Sequence, residues 1–490
     1  MIKILSSRYD VFIKYVELIF KIEILIFGLL TYNSLTFGQP IMSVFVWISF
    51  LLSCILFFDR LMNYKKYIRN PFIWILLAFV VSFSISSLFN YSFGLLQPAK
   101  SLVWLSISLL LLFSCDSDRG IDHYKKQLVI VSAVYNVYVF FASSISIVLL
   151  LQNYSKATIL STGHIVRRGF FWGRLWGVYT DPNYGSVLAG VSIVLTVAAI
   201  IIMKKKRLIL PGIINILIQF AYISFSDSRT GMLSLTIGLG VLALGIIIRY
   251  KKRFNEEKRL LKKASSILAS FALVLILPLS GMFFPTVIKK AYNAVAVSPI
   301  TSTTDDLSTS HDMTIGRAPD DATSNDISNR RFDLWRSGVE VFSTSPVVGI
   351  GTEDFAAYAK IHAPKTYLVN NDYGIFGNFH NSFIDVLARQ GILGILIVLI
   401  FVISVFIFIF KRLFKINNNA DYLFCLALIA VVSVALVTAC FVREVFYVSS
   451  AVTTLTWSGL GYVIFYLQQS VTTEKLTDSF VQEDKLEKKV

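Results

Sequence analysis

Apolar runs of about 20 residues recur from one end of this chain to the other, each long enough to cross a hydrocarbon layer of roughly 30 Å. Of 490 residues, 55% are hydrophobic and only 16% charged. A soluble body of that size would lack the polar side chains to cover itself. The pattern predicts an all-α polytopic membrane protein. Twelve spans are expected, at about 16–35, 40–58, 71–90, 99–114, 127–151, 184–203, 208–225, 231–249, 265–284, 391–410, 422–441 and 451–467. The first stands apart, because Lys21 and Glu23 lie inside it. The N-terminus shows no small-residue cleavage site after a short apolar stretch, so this span is expected to stay as a signal anchor.

The net charge of +16 invites a nucleic-acid reading. The placement of the charge argues against it. Five connections hold 22 basic residues, among them Arg60, Lys66, Arg119, Lys125, Lys204 to Arg207, the run from Arg249 to Lys263, and Lys411 to Lys415. The alternate short connections hold 7. The positive-inside rule makes the first set cytoplasmic, with both termini, and the surplus marks topology and attraction to anionic lipid. No nucleic-acid partner is implied. Cys54, Cys115, Cys425 and Cys440 fall in or beside apolar runs without paired spacing, so neither a disulfide nor a thiolate metal site is indicated.

The sequence divides into spans one to nine (1–284), a large external segment (285–390), spans ten to twelve (391–467) and a cytoplasmic tail (468–490). In the external segment, 298–329 is rich in Ser, Thr, Asp and Asn and is expected to be flexible. Residues 330–390 read as a helical cap. Phe332, Trp335, Val339 and Phe342 recur at helical spacing, with Ser328 or Asn329 as N-cap. Pro346, Gly349 and Gly351 turn the chain, and Thr352, Glu353 and Asp354 open a short helix through Tyr358. His380 and Asn381 then sit at the foot of the cap, with Asn381 or Ser382 capping the next helix.

Arginines on the side where arginine is scarce carry the chemistry. Arg229 lies in FSDSRTG, a tight hairpin between two apolar spans, and either pairs with Asp227 or meets an anion from the external leaflet. Arg174 lies in GRLWGVYTDPNYGS below Arg167 and Arg168, and either touches lipid phosphate or joins a site. Asp181, Pro182 and Asn183 form the turn that caps the following helix. Arg331 opens the cap helix, where it is either solvated or adds to the positive helix terminus. A guanidinium grips phosphate oxygens in two places and stays charged when desolvated, which suits a diphosphate at a membrane surface. His380 is either a surface group or a proton acceptor for an incoming hydroxyl. The spacing of His362, Asp372 and His380 matches no metal-ligand pattern. No phosphate-binding glycine loop is present, so ATP-driven work is not supported.

These motifs resemble the O-antigen ligase and O-antigen polymerase superfamily of bacterial envelope glycosyltransferases. RFDLWRSGVEVFSTSPVVGIGTEDF is similar to the family's Arg-x-x-x-Trp helix and Pro-x-x-Gly-x-Gly turn. HNSFIDVLARQGILG is similar to its His-Asn segment, FSDSRTG to its Ser-x-Ser-Arg hairpin, and RLWGVYTDPNYGS to its Arg-x-x-Gly segment ending in Pro-Asn. The matches are scattered from 174 to 394, while the first 150 residues agree only in general character. The resemblance implies a GT-C-like, metal-independent glycosyltransferase without cofactor, with twelve spans and its large loop between the ninth and tenth. Its donor would be an undecaprenyl diphosphate-linked oligosaccharide. Arg229 and Arg331 would hold the diphosphate, joined by Arg174, and His380 would assist the acceptor hydroxyl. Asn381, Trp335, Asn183 and Ser228 would support them. Asp227 departs from the family, standing at a usually uncharged position.

The leading expectation is a polysaccharide polymerase of O-antigen or capsule type, active on the extracytoplasmic face of the bacterial plasma membrane. It would transfer a growing glycan to the end sugar of another lipid-linked repeat unit, with membrane lipids and a chain-length regulator as candidate partners. The alternative enzyme is a ligase that moves the finished glycan to a lipid A core, wall polymer or protein. A composition rich in Lys, Ile, Asn and Phe leans toward a single-membrane host and so toward the polymerase. A lipid-linked sugar flippase is the competing class. Transporters place ionisable groups near mid-membrane and show related halves, and spans two to twelve show neither.

Overall fold

The computed structural model describes residues 2–161, 163–255, 260–296, 314–316, 330–372 and 374–487. Apart from 314–316, the segment expected to be flexible, and with it Ser328 and Asn329, lies outside the described residues. The chain opens with α1 (Ile2–Thr31), α2 (Ile41–Met62), the single turn α3 (Tyr64–Tyr67), α4 (Ile73–Phe89), α5 (Leu96–Ser106) and α6 (Ile121–Leu151). A π-helical stretch, Ile107–Leu112, prolongs α5. Then come β1 (Ser155–Ile159), β2 (Ile165–Phe171) and β3 (Arg174–Gly177), followed by α7 (Pro182–Met203), α8 (Ile209–Ser226), α9 (Arg229–Asn255) and α10 (Leu260–Ala296). The remainder is α11 (Arg331–Thr344), α12 (Phe355–His362), α13 (Ser382–Leu413), α14 (Asn419–Ala439) and α15 (Ala451–Glu487).

Every expected span overlaps one of these helices. Among the described residues seven are long and apolar enough to cross a membrane: Ile41–Met62, Ile121–Leu151, Pro182–Met203, Lys206–Ser226, Arg229–Arg249, Ser382–Leu413 and Asn419–Ala439. Ile73–Phe89 and Leu96–Leu112 are shorter apolar helices. The chain is therefore a mostly helical, multi-pass membrane protein. Helix α1 falls short of that standard because of its charges, yet Glu17, Lys21 and Glu23 are buried. Lys21 donates to Glu17 at 3.0 Å and to Gln127 at 2.8 Å, and Ser49 donates to Glu23. The centre of the bundle is α7, packed on α6, α8, α9 and α14.

Three expectations need correction. The fold is not purely helical, since β1, β2 and β3 form an antiparallel meander. Strand β1 is exposed along its whole length and lacks the alternation that marks a strand in sequence. The ninth long helix runs on to Ala296, past the boundary expected at 284, with Pro278 and Pro285 inside it. The cap helix α11 buries Leu334, Ser337, Gly338 and Val341, while Phe332 and Val339 are exposed. Small residues on that face let other segments approach. A β-carbon at Gly338 would come within 2.2 Å of Ile384 and 3.1 Å of Phe379.

Residues 330–390 form a cap with its own core, which includes Leu334, Val341, Ile350, Phe355, Leu368 and Phe379. Helix α13 breaks at Gly391, where φ is 62° and ψ −158°. The turn after α11 lies across the break, with Ile350 N donating to Ala388 O at 2.9 Å and Ile392 N to Pro346 O at 2.8 Å. The same turn is moored to α4. Ser87 donates to Gly351 O at 3.0 Å, Asn90 to Gly349 O at 3.1 Å, and Ser86 to Val348 O.

Candidate active site

One end of the bundle gathers the C-termini of α1, α8 and α14, the N-termini of α7, α9, α13 and α15, the β-meander and the cap. Helix α7 begins where its sequence says it should. Asp181 accepts from the N–H groups of Asn183 at 2.6 Å and Tyr184 at 3.4 Å, with Pro182 in the first turn. That cap fixes Asn183, whose Oδ1 accepts from Arg174 Nη2 at 2.9 Å and from Ser228 Oγ at 3.0 Å. Arg174 Nε also donates to Ser226 O at 2.8 Å. The last strand of the meander, the start of α7 and the more distant α8–α9 hairpin are thus tied together through one carboxamide.

The hairpin between α8 and α9 turns on Asp227, whose φ is 47°. Its carboxylate pairs with Lys289 of α10 at 2.8 Å. Arg229, the first residue of α9, is exposed. Arg331 opens α11 and reaches the same hairpin, its Nη2 lying 3.5 Å from Thr230 Oγ1. Its guanidinium stands 5.7 Å from the Phe441 ring, on which Trp335 also packs at 6.3 Å. Arg330 occupies the N-cap position of that helix with no side-chain cap bond.

His380 adopts φ 50°, a conformation uncommon outside glycine. Its neighbours explain this. Phe379 is buried in the cap core, and Asn381 caps α13 by accepting from Phe383 N at 2.9 Å and Ile384 N at 3.2 Å. The backbone between them must swing, and His380 turns into a cavity of about 490 Å³ that Asp181, Glu353, Asn378 and Arg443 also line. Burial pushes the His380 imidazole below its ordinary pKa; Asp181 opposes this, Arg331 reinforces it and Asp385 opposes it. A neutral imidazole at pH 7 can accept a proton.

The arrangement therefore brings Arg174, Asn183, Ser228 and Arg331 around one hairpin, with Asn381 and His380 beside it and Arg229 on the exposed rim. Trp335 contacts Phe441 and Phe332 but lies outside this hydrogen-bonded set. Sequence reading missed a second layer. Arg389 is fully buried between the rings of Phe355 at 4.8 Å and Tyr447 at 4.5 Å. Its Nη1 lies 3.2 Å from Glu353 Oε1. Arg443 reaches the same oxygen at 3.4 Å and Asp385 at 3.7 Å. Arg443 was visible only as a basic residue in a connection otherwise poor in them.

Residues 213–399 match the family model described as O-antigen ligase. An uncharacterized protein of Haemophilus influenzae is 23% identical over 251 residues, covering 51% of this chain and 56% of that relative. The chain thus spans little more than half the length of the curated relative it matches. The family match runs from α8 through the Arg229 hairpin, the Arg331 helix and the His380–Asn381 segment into α13, so that this part of the chain, residues 213–399, is similar to the O-antigen ligase family.

Proposed function

We propose that the protein polymerises lipid-linked glycan repeat units at the outer face of the bacterial plasma membrane. It takes a growing glycan from undecaprenyl diphosphate and joins it to the end sugar of another lipid-linked unit. The observation that carries this reading is the meeting of Arg174, the Ser228–Arg229 hairpin and Arg331 beside a partly buried histidine. The match of residues 213–399 to the O-antigen ligase family model supports an enzyme acting on lipid-linked glycans in the membrane.

In this reading Arg229 and Arg331 clasp the diphosphate, whose charge rises as it leaves. Arg174 and Asn183 hold the hairpin in place. His380 takes the proton of the acceptor hydroxyl as its oxygen forms the new bond to the anomeric carbon. The bond from that carbon to phosphate breaks, and the electron pair departs on the diphosphate. In the same reading twelve helices, the two shorter apolar ones among them, cross the membrane, with both chain ends in the cytoplasm and the basic connections beside them.

The test is a purified reaction with lipid-linked repeat units. A ladder of chain lengths, formed as well with EDTA as without, is the expected product. One transfer to a lipid A core, wall polymer or protein acceptor would instead establish a ligase. Arg229→Ala, Arg331→Ala and His380→Ala should each lower turnover about 100-fold or more while folded yield is unchanged. Normal turnover in all three would remove the proposed site.

A further inference from the structure

The cavity beside His380 is mixed in charge where the arginine cluster is cationic: Lys100 and Arg443 line it opposite an equal number of carboxylates. Two carboxylates line it, Asp181 and Glu353, together with the carboxamides of Gln97 and Asn378. Among the described residues neither Arg174, Arg229 nor Arg331 lines it. Its apolar wall includes Phe27 and Trp104, whose rings stack at 5.2 Å and 13°. A volume near 490 Å³ falls in the range of about 300–1,000 Å³ that takes small ligands.

A diphosphate is poorly suited to this space. Asp181 and Glu353 offset the charge of Lys100 and Arg443, and Arg443 already serves Glu353 and Asp385, so the lining holds no surplus of positive charge for a diphosphate. A lipid tail would bury the polar lining unpaired. A neutral polyol fits on each count: carboxylates and carboxamides accept and donate to hydroxyls, and flat aromatic faces receive the C–H side of a sugar ring. Glu353 is prepared for the task. Its Oε1 is gripped by Arg389 and Arg443, which fixes the carboxylate while Oε2 has no partner among the described residues.

We infer that this cavity seats the terminal sugar of the acceptor, with Glu353 and Gln97 as its binding residues, so that acceptor and donor diphosphate approach His380 from opposite sides. The inference rests on the transfer reaction proposed above and adds the identity of the second subsite. His380 and Asp181 mark the boundary, since His380 lines the cavity and lies in the field of both Asp181 and Arg331.

Equilibrium binding to the full chain in nanodiscs separates the two subsites. One probe is the repeat-unit oligosaccharide freed from its lipid by mild acid, and the other is undecaprenyl diphosphate without sugar. Glu353→Gln and Gln97→Ala should each weaken oligosaccharide binding about tenfold, the worth of one good hydrogen bond, and leave carrier binding unchanged. Arg331→Ala should do the reverse. Oligosaccharide binding unaffected by both cavity variants would overturn the inference, even if Arg331→Ala loses the carrier. Equal dependence of both probes on Arg331 and Glu353 would also overturn it, by showing one shared pocket. Carrier binding indifferent to Arg331 would instead sink the underlying transfer reading. Gln97 is exposed, so Gln97→Ala decides the matter should Glu353→Gln fail to fold.

Discussion

At the scale of single residues, His380 shows how neighbours set chemistry. Phe379 pulls one way into the cap and Asn381 the other onto α13, and the histidine between them is turned into the cavity. Because burial lowers its pKa, the imidazole stays neutral to more acidic pH than the ordinary value of about 6.5. The acid limb of kcat/KM should therefore fall below pH 6.5, and His380→Gln should erase that limb along with most activity. Arg331→Lys keeps a charge but loses the planar fork, so it should recover only part of the turnover lost in Arg331→Ala. His380, Asn381 and Arg331 were legible because each sits at a helix start that sequence marks with a cap or a turn. Glu353, Arg389 and Arg443 were not. Their meaning lies in one another, across segments that only the folded chain brings together.

At the scale of elements, apolar run length placed the long helices, because the membrane's thickness leaves little freedom. Amphipathic reading of the cap helix failed for an instructive reason. The exposed side of α11 carries larger apolar residues than its buried side, and only Gly338 and Ser337 allow Phe379 and Leu368 so close. The β-meander escaped notice for want of alternation. Gly391 is the element-level test. Its φ of 62° disfavours any side chain, and a β-carbon would lie 2.4 Å from Val347 O. Backbone strain of about 1–3 kcal/mol, with the overlap added, should lower the melting temperature of Gly391→Ala by several degrees. Scanning fluorimetry in detergent measures this. An unchanged transition would show that the break in α13 is not needed.

At the scale of the molecule, the two ends of the bundle differ in how they handle charge. Away from the candidate site, Glu17 is buried among Lys21, Arg60 and Arg119. Removing its charge leaves three buried cations short of a partner, so Glu17→Gln should cost about 3–5 kcal/mol. Arg69 and Asp118 pair at 3.5 Å but are 68% and 50% exposed, and Arg69→Ala should change stability by less than about 1 kcal/mol. Unfolding in denaturant compares the two, and equal losses would contradict the distinction. The mooring of the cap turn to α4 has a consequence for biogenesis. Ser86, Ser87 and Asn90 leave the ribosome some 260 residues before the carbonyls they hold. In the interval Ser86 and Ser87 can spend their hydroxyl protons on Ser82 O and Phe83 O of their own helix, which they also contact in the finished protein. A serine-rich face can thus wait in lipid without exposing an orphan donor, then exchange partners when the cap arrives.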